Sequence, residues 1–550
     1  MIATACAGSA IALYACGGTD SSTPVTSQNA LQTATPIKHL VVIYGENVSF
    51  DHYFGTYPNA ANPPGEPAFS AASGTPPING LSGLLLTANP NATNPANGAG
   101  AANPFRLDRT QAATADQNHA YTAEEQAYDN GLADLFPKYT GKGSSGGAGA
   151  FGTTGQVMGY FDGNTVTALW NYAQRFAMSD NAYTSTYGPS TPGALNVIAG
   201  QTDGMQIVKT SKAVSTLAKT SYYVNDGQGG LTMINDVDPG YDVCSSPTDQ
   251  AMMSGKNIGD LLNARNITWG GFMGGFNLST ANANGTTGCK RSTIATAVNA
   301  ATADYIPHHN WFQYYASTAN PQHTRPSAIA AIGSSVETDG KTPEPANHQY
   351  DSDDFFAAVK AGNFPSVSFL KAPAAQDAHA GYSDPLDEQQ FVTKIINFLQ
   401  QQPDWANTAV IVTYDDSDGW YDHAYTSPTR ASFDAVDQLN GDSVCGAGAA
   451  TTGVAGAPVN GRCGPGTRIP FVVVSPWAKQ NYVSHTLIDQ ASVVRFIEDN
   501  WLGGQRIGGG SFDATAGDMR DLFDFSGAVN KTPLYLDPTL GTKLATAPSI

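Results

Sequence analysis

The chain has 550 residues, of which 41% are apolar, enough to bury a large core. Only 13% are charged, and 58 Gly and 33 Pro predict a folded body with many long polar loops. The formal net charge is −19 and Lys and Arg form no dense cluster, so a nucleic-acid-binding surface is not expected.

The first 35 residues are typical of an export segment followed by a polar tether. Residues 2–15 are small and apolar, although no Lys or Arg precedes them as in a usual secretory signal. Residues 13–17 resemble a lipoprotein signal box in which Cys16 carries the lipid anchor, and cleavage of a plain signal is the alternative. We therefore expect an exported protein that is periplasmic, anchored to the outer membrane as a lipoprotein, or secreted.

Short apolar runs predict buried parallel strands, and two stretches at helical spacing predict helices. The strands are His39–Tyr44, Ser366–Leu370, Thr408–Tyr414 and Pro470–Ser475, and the helices are Asp387–Gln402 and residues 491–501. Alternating strands and helices predict an α/β domain over residues 36–550, with a mostly parallel central sheet and helices on both faces.

Two regions interrupt this pattern. Residues 58–104 are rich in Asn, Pro, Ala and Gly and predict a long surface loop. Residues from about 206 to 326 predict an insertion that forms a cap or an elaborated edge, with one helix–strand element at Ile258–Met273.

Four cysteines lie outside the export segment, and their spacing does not fit a zinc site. In an exported protein this number suggests two disulfides. The pairs Cys244–Cys289 and Cys445–Cys463 would each close a Gly-rich loop, and other pairings stay open.

Acidic and amide side chains directly follow two of the predicted strands. Glu46 and Asn47 follow the first strand, and Asp415 and Asp416 follow Thr408–Tyr414. Ligands bind outside the carboxyl ends of strands in such sheets, so these residues should meet at one rim. Carboxylates this close repel unless a cation lies between them. The pattern favours one divalent metal ion (Ca, Mg, Mn, Fe or Zn) over the alternative of turn and helix-cap residues.

A candidate nucleophile, Ser190, lies in the sequence Gly188-Pro-Ser-Thr-Pro192. Pro192 suits the first turn of a helix, whose free N–H groups and dipole attract an anion. A serine there can attack phosphorus when a metal lowers the pKa of its hydroxyl. The alternative is an ordinary N-cap serine, which is far commoner.

Histidines are scarce, and five occur in settings that suit chemistry: His119, His308, His309, His348 and His379. Such a side chain can bind metal, hold a phosphoryl oxygen or protonate a leaving group. Each one alone is more often a polar core or surface residue.

Together these residues resemble the bacterial acid phosphatase and phospholipase C family of phosphoesterases, within the alkaline-phosphatase-like superfamily. The resemblance spans roughly residues 36–501. Its main motifs are Ile37–Thr56, Gly188–Pro192 and Asp415–His423, in the expected order. Val48 departs from the pattern, because many members have Arg there.

The resemblance implies an alkaline-phosphatase-like α/β fold and a covalent phosphoserine intermediate on Ser190. It implies these metal ligands: Glu46, Asn47, Ser190, Asp415 and Asp416. It also implies catalytic and substrate-binding histidines around the phosphate: His119, His308, His309 and His379. The choice between His348 and His379 stays open.

Asp415-Asp416-Ser417 in place of an Asp-Glu pattern favours the phosphatase branch, as does a chain that ends soon after the catalytic region. We therefore predict metal-dependent hydrolysis of phosphate esters, either small molecules or phospholipids. One alternative is a phospholipase C that cleaves phospholipid headgroups. Another, from a different class, is a non-catalytic, surface-anchored binding lipoprotein.

Overall fold

A computed structural model describes residues 31–208 and 220–549. The predicted export segment and the proposed lipid anchor at Cys16 lie outside these residues. The end of the predicted tether is fastened to the body, because the backbone N–H groups of Ala34 and Thr35 donate to Asn500. Within the described residues, no helix combines the length and apolar character needed to cross a membrane.

The centre of the fold is an eight-stranded sheet in the order β4-β3-β5-β1-β6-β7-β2-β8. The strands β1 to β8 are His39–Gly45, Ala177–Ser179, Trp269–Met273, Gln349–Asp351, Val367–Lys371, Thr408–Tyr414, Phe471–Val474 and Tyr482–Ser484. All neighbours are parallel except those of β7, which runs antiparallel to β6 and β2. The predicted α/β fold with a mostly parallel central sheet is confirmed.

β1 lies at the middle of the sheet, between β5 and β6. Its residue Val41 pairs with Ser368 on one side and Val410 on the other. Every residue of β1 and β6 is buried. Because successive side chains of a strand point to opposite faces, this burial means that both faces of the sheet are covered.

Eleven α-helices occur in the described residues, and several of the shorter ones are single turns. In chain order, α1 to α11 are Phe50–Phe54, Leu84–Thr87, Pro90–Thr93, Tyr121–Tyr128, Phe136–Tyr139, Thr167–Arg175, Ser190–Ala199, Ile258–Ala264, Ser352–Lys360, Pro385–Leu399 and Ala491–Trp501. The helix predicted at residues 387–402 begins two residues earlier, because the Asp384 side chain caps it by accepting from the N–H groups of Leu386 and Asp387.

The prediction that Pro470–Ser475 forms a parallel strand is wrong in direction, since Phe471–Val474 is antiparallel to its neighbours. An apolar run buried on both faces has the same residue pattern whichever way it runs, so the sequence carried no signal for the direction. The strand lies in the sheet as expected.

The stretch predicted as an insertion, about residues 206–326, supplies β3 to the central sheet as well as surface hairpins. Small strands outside the central sheet are Phe105–Arg106, Gly159–Tyr160, Ala182–Tyr183, Met205–Ile207, Tyr223–Asn225, Leu231–Met233, Asp238–Pro239, Gln250–Met253, Ser292–Ala295, Ala300–Ala303 and Ile488–Asp489. The predicted disulfides are confirmed, with Cys244 bonded to Cys289 and Cys445 bonded to Cys463.

Candidate functional site

Five of the side chains singled out in the sequence lie together at the carboxyl ends of β1 and β6. We call them the Ser190 cluster: Glu46, Asn47, Ser190, Asp415 and Asp416. The Ser190 hydroxyl donates to Glu46 Oε2 at 2.9 Å and lies 3.3 Å from Asp416 Oδ2. Three segments remote in sequence thus meet around one hydroxyl.

Ser190 is the first residue of α7, and the preceding Pro189 occupies the capping position. The hydroxyl makes no capping hydrogen bond, so Ser190 is not an ordinary N-cap serine. Gly193 allows α7 to approach the loop after β6, because a Cβ at this position would lie 2.1 Å from the carbonyl oxygen of Asp415. The helix therefore delivers the hydroxyl directly to the acidic residues.

Asn47 joins the two strand ends. It adopts a left-handed backbone conformation with φ 62°, which Asn tolerates better than most residues. Its N–H donates to Asp415 Oδ1 at 3.1 Å, and its side-chain amide donates to Asp418 at 3.0 Å. Its Oδ1 is buried with no hydrogen-bond donor among the described residues. A buried carbonyl oxygen left in this state suits a cation.

The three carboxylates of the Ser190 cluster are fully buried. Burial, and then repulsion from Asp415, raises the pKa of Glu46 well above its usual range. Burial also raises the pKa of Asp416, against the pull of His119. Crowded, desolvated carboxylates beside an orphaned carbonyl fit a divalent cation with oxygen ligands. A second set of possible ligands, Glu46 with His309 and Asp377, has its atoms within 4.8 Å of one another.

Lys371 is the last residue of β5 and was missed in the sequence. Its side chain is buried, and its ammonium group contacts Glu46 Oε1 and lies 3.4 Å from Asp415 Oδ2. Burial alone would lower the pKa of Lys371, but Glu46 and Asp415 outweigh burial and raise it. A lone Lys at the end of an apolar run gave no signal of this role.

Glu124 of α4 was also not predicted from the sequence, and it connects the segment before Ser190 with the segment after β6. It accepts hydrogen bonds from the N–H of Gly188 at 2.9 Å and from the Ser417 hydroxyl at 2.7 Å. Gly188 is two residues before Ser190, and Ser417 follows Asp416. Burial raises the pKa of Glu124 to about 7.

The four histidines predicted around the phosphate form a row next to the Ser190 cluster. The His308 and His309 rings are 4.6 Å apart, and the His379 ring lies 6.2 Å from both His309 and His119. His309 Nδ1 is 3.2 Å from Glu46 Oε1, which joins the row to the cluster. At the far end, His119 Nδ1 is 3.0 Å from Asp418.

The row contains two kinds of imidazole. Burial opposes protonation of His119 and His308, but neighbouring aspartates outweigh it and raise the pKa of both. Burial, with repulsion from neighbouring cations, lowers the pKa of His309 well below its usual range. Burial also lowers the pKa of His379 to about 4. The row therefore contains two rings whose surroundings favour the protonated form and two whose surroundings favour the neutral form.

His348 does not belong to this row. Its ring stacks on Trp269 at 4.4 Å, and its two nitrogens contact the carbonyl oxygen of Trp269 and the Ser335 hydroxyl. Between the two alternatives left open by the sequence, the structure brings His379 to the site and leaves His348 in a structural contact.

A cavity of about 280 Å³ has His119 in its wall, together with Pro189, which directly precedes Ser190. The wall also includes Lys142, Asp116 and Asp236. Asp236 accepts the N–H of Thr191 at 2.8 Å, which fixes the start of α7 to this wall. The cavity gives a small ligand access to the histidine row.

The chain is similar to known phosphoesterases over most of its length. A family model described as Phosphoesterase family matches residues 37–502, so the chain belongs to the phosphoesterase family. Phospholipase C A of Mycobacterium tuberculosis is 24% identical over 518 residues, covering 92% of this chain and 81% of that protein. Hemolytic phospholipase C of Pseudomonas aeruginosa is 33% identical over 171 residues, covering 31% of this chain and only 22% of that protein. The crystal structure of a protein in the alkaline phosphatase superfamily from Vibrio parahaemolyticus is 11% identical in sequence. The match covers 64% of this chain and 62% of that protein's chain, with a TM-score of 0.26.

Proposed function

We propose that the protein hydrolyses phosphate esters and that the Ser190 hydroxyl is the nucleophile. The observation that carries the proposal is the position of this hydroxyl, 2.9 Å from Glu46 and 3.3 Å from Asp416 at the start of a helix. The helix N-terminus favours an anion beside Ser190, and the histidine row lies next to it. Family membership supports the same reaction class.

A divalent cation would be held by oxygen atoms of the Ser190 cluster, with the orphaned Oδ1 of Asn47 among them. When bound, it would lower the pKa of the serine hydroxyl and offset charge on the phosphoryl oxygens. The acidic chain supplies little other positive charge for an anionic substrate, apart from Lys371 and the two histidines whose pKa is raised, His119 and His308.

Side chains of the protein would carry out nucleophilic attack, proton transfer and binding of the phosphoryl oxygens. Ser190 Oγ forms a bond to phosphorus as the ester P–O bond breaks, and Glu46 Oε2 is the nearest acceptor for the hydroxyl proton. The leaving alkoxide takes a proton from His119 or His308, because neighbouring aspartates raise the pKa of both rings and favour their protonated form. The neutral rings of His309 and His379 donate N–H groups to phosphoryl oxygens. Water then cleaves the phosphoserine and regenerates Ser190.

The substrate has two candidate classes. The sequence pattern at Asp415–Ser417 favours a phosphomonoester. The long match to Phospholipase C A, over 92% of this chain, favours the phosphodiester of a phospholipid. Both substrates present a tetrahedral phosphorus to Ser190 and release an alcohol. The monoester leaves a simple phosphoserine, whereas the phospholipid leaves Ser190 bonded to a phosphate that still carries its headgroup, and water then releases that phosphate. An exported location, inferred from residues 1–35, would suit either class.

The test is hydrolysis of p-nitrophenyl phosphate and of phosphatidylcholine by the full chain, with and without a chelator. Ser190→Ala should lower both activities by at least about 10³-fold, because removing a nucleophile leaves only binding effects. Its melting temperature and metal content should stay close to those of the wild type. Ser475→Ala is the matched control, because Ser475 is also buried but hydrogen-bonds to Thr408 at the opposite end of the sheet.

Retained activity in Ser190→Ala would exclude Ser190 as the nucleophile. Activity on only one of the two esters would assign the substrate class. No metal-dependent hydrolysis of either ester by the wild type would instead favour a non-catalytic binding protein.

A further inference from the structure

Lys371 is a buried cation placed between carboxylates from two neighbouring strands. Its side chain is 1% exposed, and its partners Glu46 and Asp415 are fully buried. No other Lys or Arg within the described ranges forms an ion pair with a carboxylate of the Ser190 cluster. A buried ammonium is costly unless it balances charge or fills a specific place, so its position calls for an explanation.

The oxygens of Glu46 are divided between two directions. Oε2 faces the Ser190 hydroxyl, whereas Oε1 contacts the Lys371 ammonium and lies 3.2 Å from His309. The carboxylate therefore bridges two positions at which positive charge is favourable. One lies beside Ser190, and the other is filled by Lys371.

Asp415 shows the same division. Its Oδ1 accepts the N–H groups of Asn47 and Asp416, whereas its Oδ2 faces Lys371 at 3.4 Å. Asp377, which lies 3.8 Å from His309 Nδ1, also acts electrostatically on Lys371. The ammonium thus contacts Glu46, faces Asp415 and has a third carboxyl group in its surroundings.

Many phosphoesterases use two metal ions about 3.5–4 Å apart, which share bridging carboxylates. We propose that the Lys371 ammonium is a tethered second cation that fills such a neighbouring position, so that this site takes a single divalent ion. The inference rests on the proposed function, since it assigns the remaining position to the ion beside Ser190. Lys371 in this sense balances charge: its ammonium occupies the side of Glu46 and Asp415 that faces away from Ser190.

Metal binding to the metal-free full chain tests this inference, with Mn²⁺ as the probe. Stoichiometry is measured by equilibrium dialysis with elemental analysis, and stability by thermal melting with and without Mn²⁺. The wild type should bind one ion. Lys371→Ala, which removes the ammonium and opens its space, should bind two ions and gain more thermal stability from Mn²⁺ than the wild type does. One ion bound with wild-type affinity by Lys371→Ala would overturn the inference.

Lys371→Met keeps most of the volume and removes only the charge, so it tests the inference if Lys371→Ala does not fold. It should still bind one ion, at least tenfold more tightly than the wild type, because the repulsion from the ammonium is gone. Unchanged affinity would overturn the inference. Lys341→Ala, at an exposed loop position, is the control and should match the wild type.

Failure of this inference can be distinguished from failure of the proposed function. If the ion counts agree with the inference but neither ester is hydrolysed, the role of Lys371 stands and the proposed function fails. If the wild type binds no ion, the inference is overturned whatever the hydrolysis shows.

Discussion

Two buried acidic clusters are built from the same two stretches of chain, yet they differ in how their charge is balanced. The segment after β1 supplies Glu46 to the Ser190 cluster and Asp51 to a second cluster. The segment after β6 supplies Asp416 to the Ser190 cluster and Asp422 to the second cluster. We call the second the Arg468 cluster: Asp51, Asp422, His423 and Arg468.

The Arg468 cluster is closed by hydrogen bonds. The guanidinium of Arg468 donates to Asp422 and to Asp51, each at 3.0 Å, and His423 contacts Asp51 at 2.6 Å. Burial would raise the pKa of Asp51, but His423 and Arg468 outweigh it and lower this pKa. Burial still raises the pKa of Asp422 to about 6, so the network is fully charged only above that pH.

The polar groups of the Ser190 cluster are not all paired with one another. Its carboxylates have only Lys371 as a fixed cation, the pKa of Glu46 and Asp416 is raised, and the Asn47 carbonyl has no donor among the described residues. The comparison indicates that the Arg468 cluster, whose charges are paired within the protein, stabilises the fold. The Ser190 cluster, whose charges are not fully paired, is suited to binding a ligand.

The largest expected effect is on activity, from Asp416→Asn in the Ser190 cluster. Hydrolysis of p-nitrophenyl phosphate should fall by about 10³-fold or more, because one charged ligand and its contact with Ser190 are lost. The metal-free protein should be as stable as the wild type or more so, since one of the crowded charges is removed. Activity assays and thermal melting without metal measure both effects. Near-wild-type activity with a lower melting temperature would show that Asp416 serves stability and not activity, contrary to this comparison.

Next in size is the cost of breaking the closed cluster. Arg468→Met leaves the buried Asp51 and Asp422 without their cation, which should lower the free energy of unfolding by about 3–5 kcal/mol. Urea denaturation measures the loss. Arg520→Met is the control, because Arg520 is about half exposed and its pair with Asp518 should contribute less than about 1 kcal/mol. Equal losses in both variants would contradict the structural role of the Arg468 cluster.

The smallest expected effect is on the pH dependence of stability, and it concerns a third buried carboxyl group, Glu388. This group belongs to neither cluster and has tyrosine hydroxyls as its hydrogen-bond partners. Tyr53 and Tyr414 donate to it, and burial raises its pKa to about 7. Between about pH 4.5 and 7, the folded state holds this proton while the unfolded chain has released it. The contribution of Glu388 to stability should therefore be complete below about pH 4.5 and should fall by up to about 3 kcal/mol as the pH rises to 7.

Glu388→Gln should remove this part of the pH dependence, because glutamine does not titrate. Its Oε1 can still accept from one tyrosine hydroxyl, and its NH2 group can donate to the other. Urea denaturation at pH 5 and pH 7.5 compares the variant with the wild type. Parallel profiles of the two proteins would show that Glu388 does not titrate between these values.

How much of the fold the sequence could predict depends on element length. β1, β5 and β6 were visible as long apolar runs that are buried on both faces. β2, β4 and β8 have only three residues each, too few for a periodic pattern. The direction of β7 is set by its pairing with β6, and its own residues do not encode it.

The site divides in a similar way. Glu46, Asn47, Asp415 and Asp416 could be predicted because they directly follow visible strands, and Ser190 because its turn has a recognisable sequence. Lys371 and Glu124 could not, because each acts through partners that only the folded chain brings near. His348 and His379 differ in their surroundings and not in their local sequence pattern, so only the structure could separate them.

The contact at Gly193 limits how this site can change. Its α-carbon packs so closely on the backbone of Asp415 that even a methyl group would displace one segment from the other. A shift of that size would carry Ser190 away from Glu46, so the hydroxyl and the carboxylates cannot move independently. The smallest residue therefore fixes the spacing between α7 and the segment after β6.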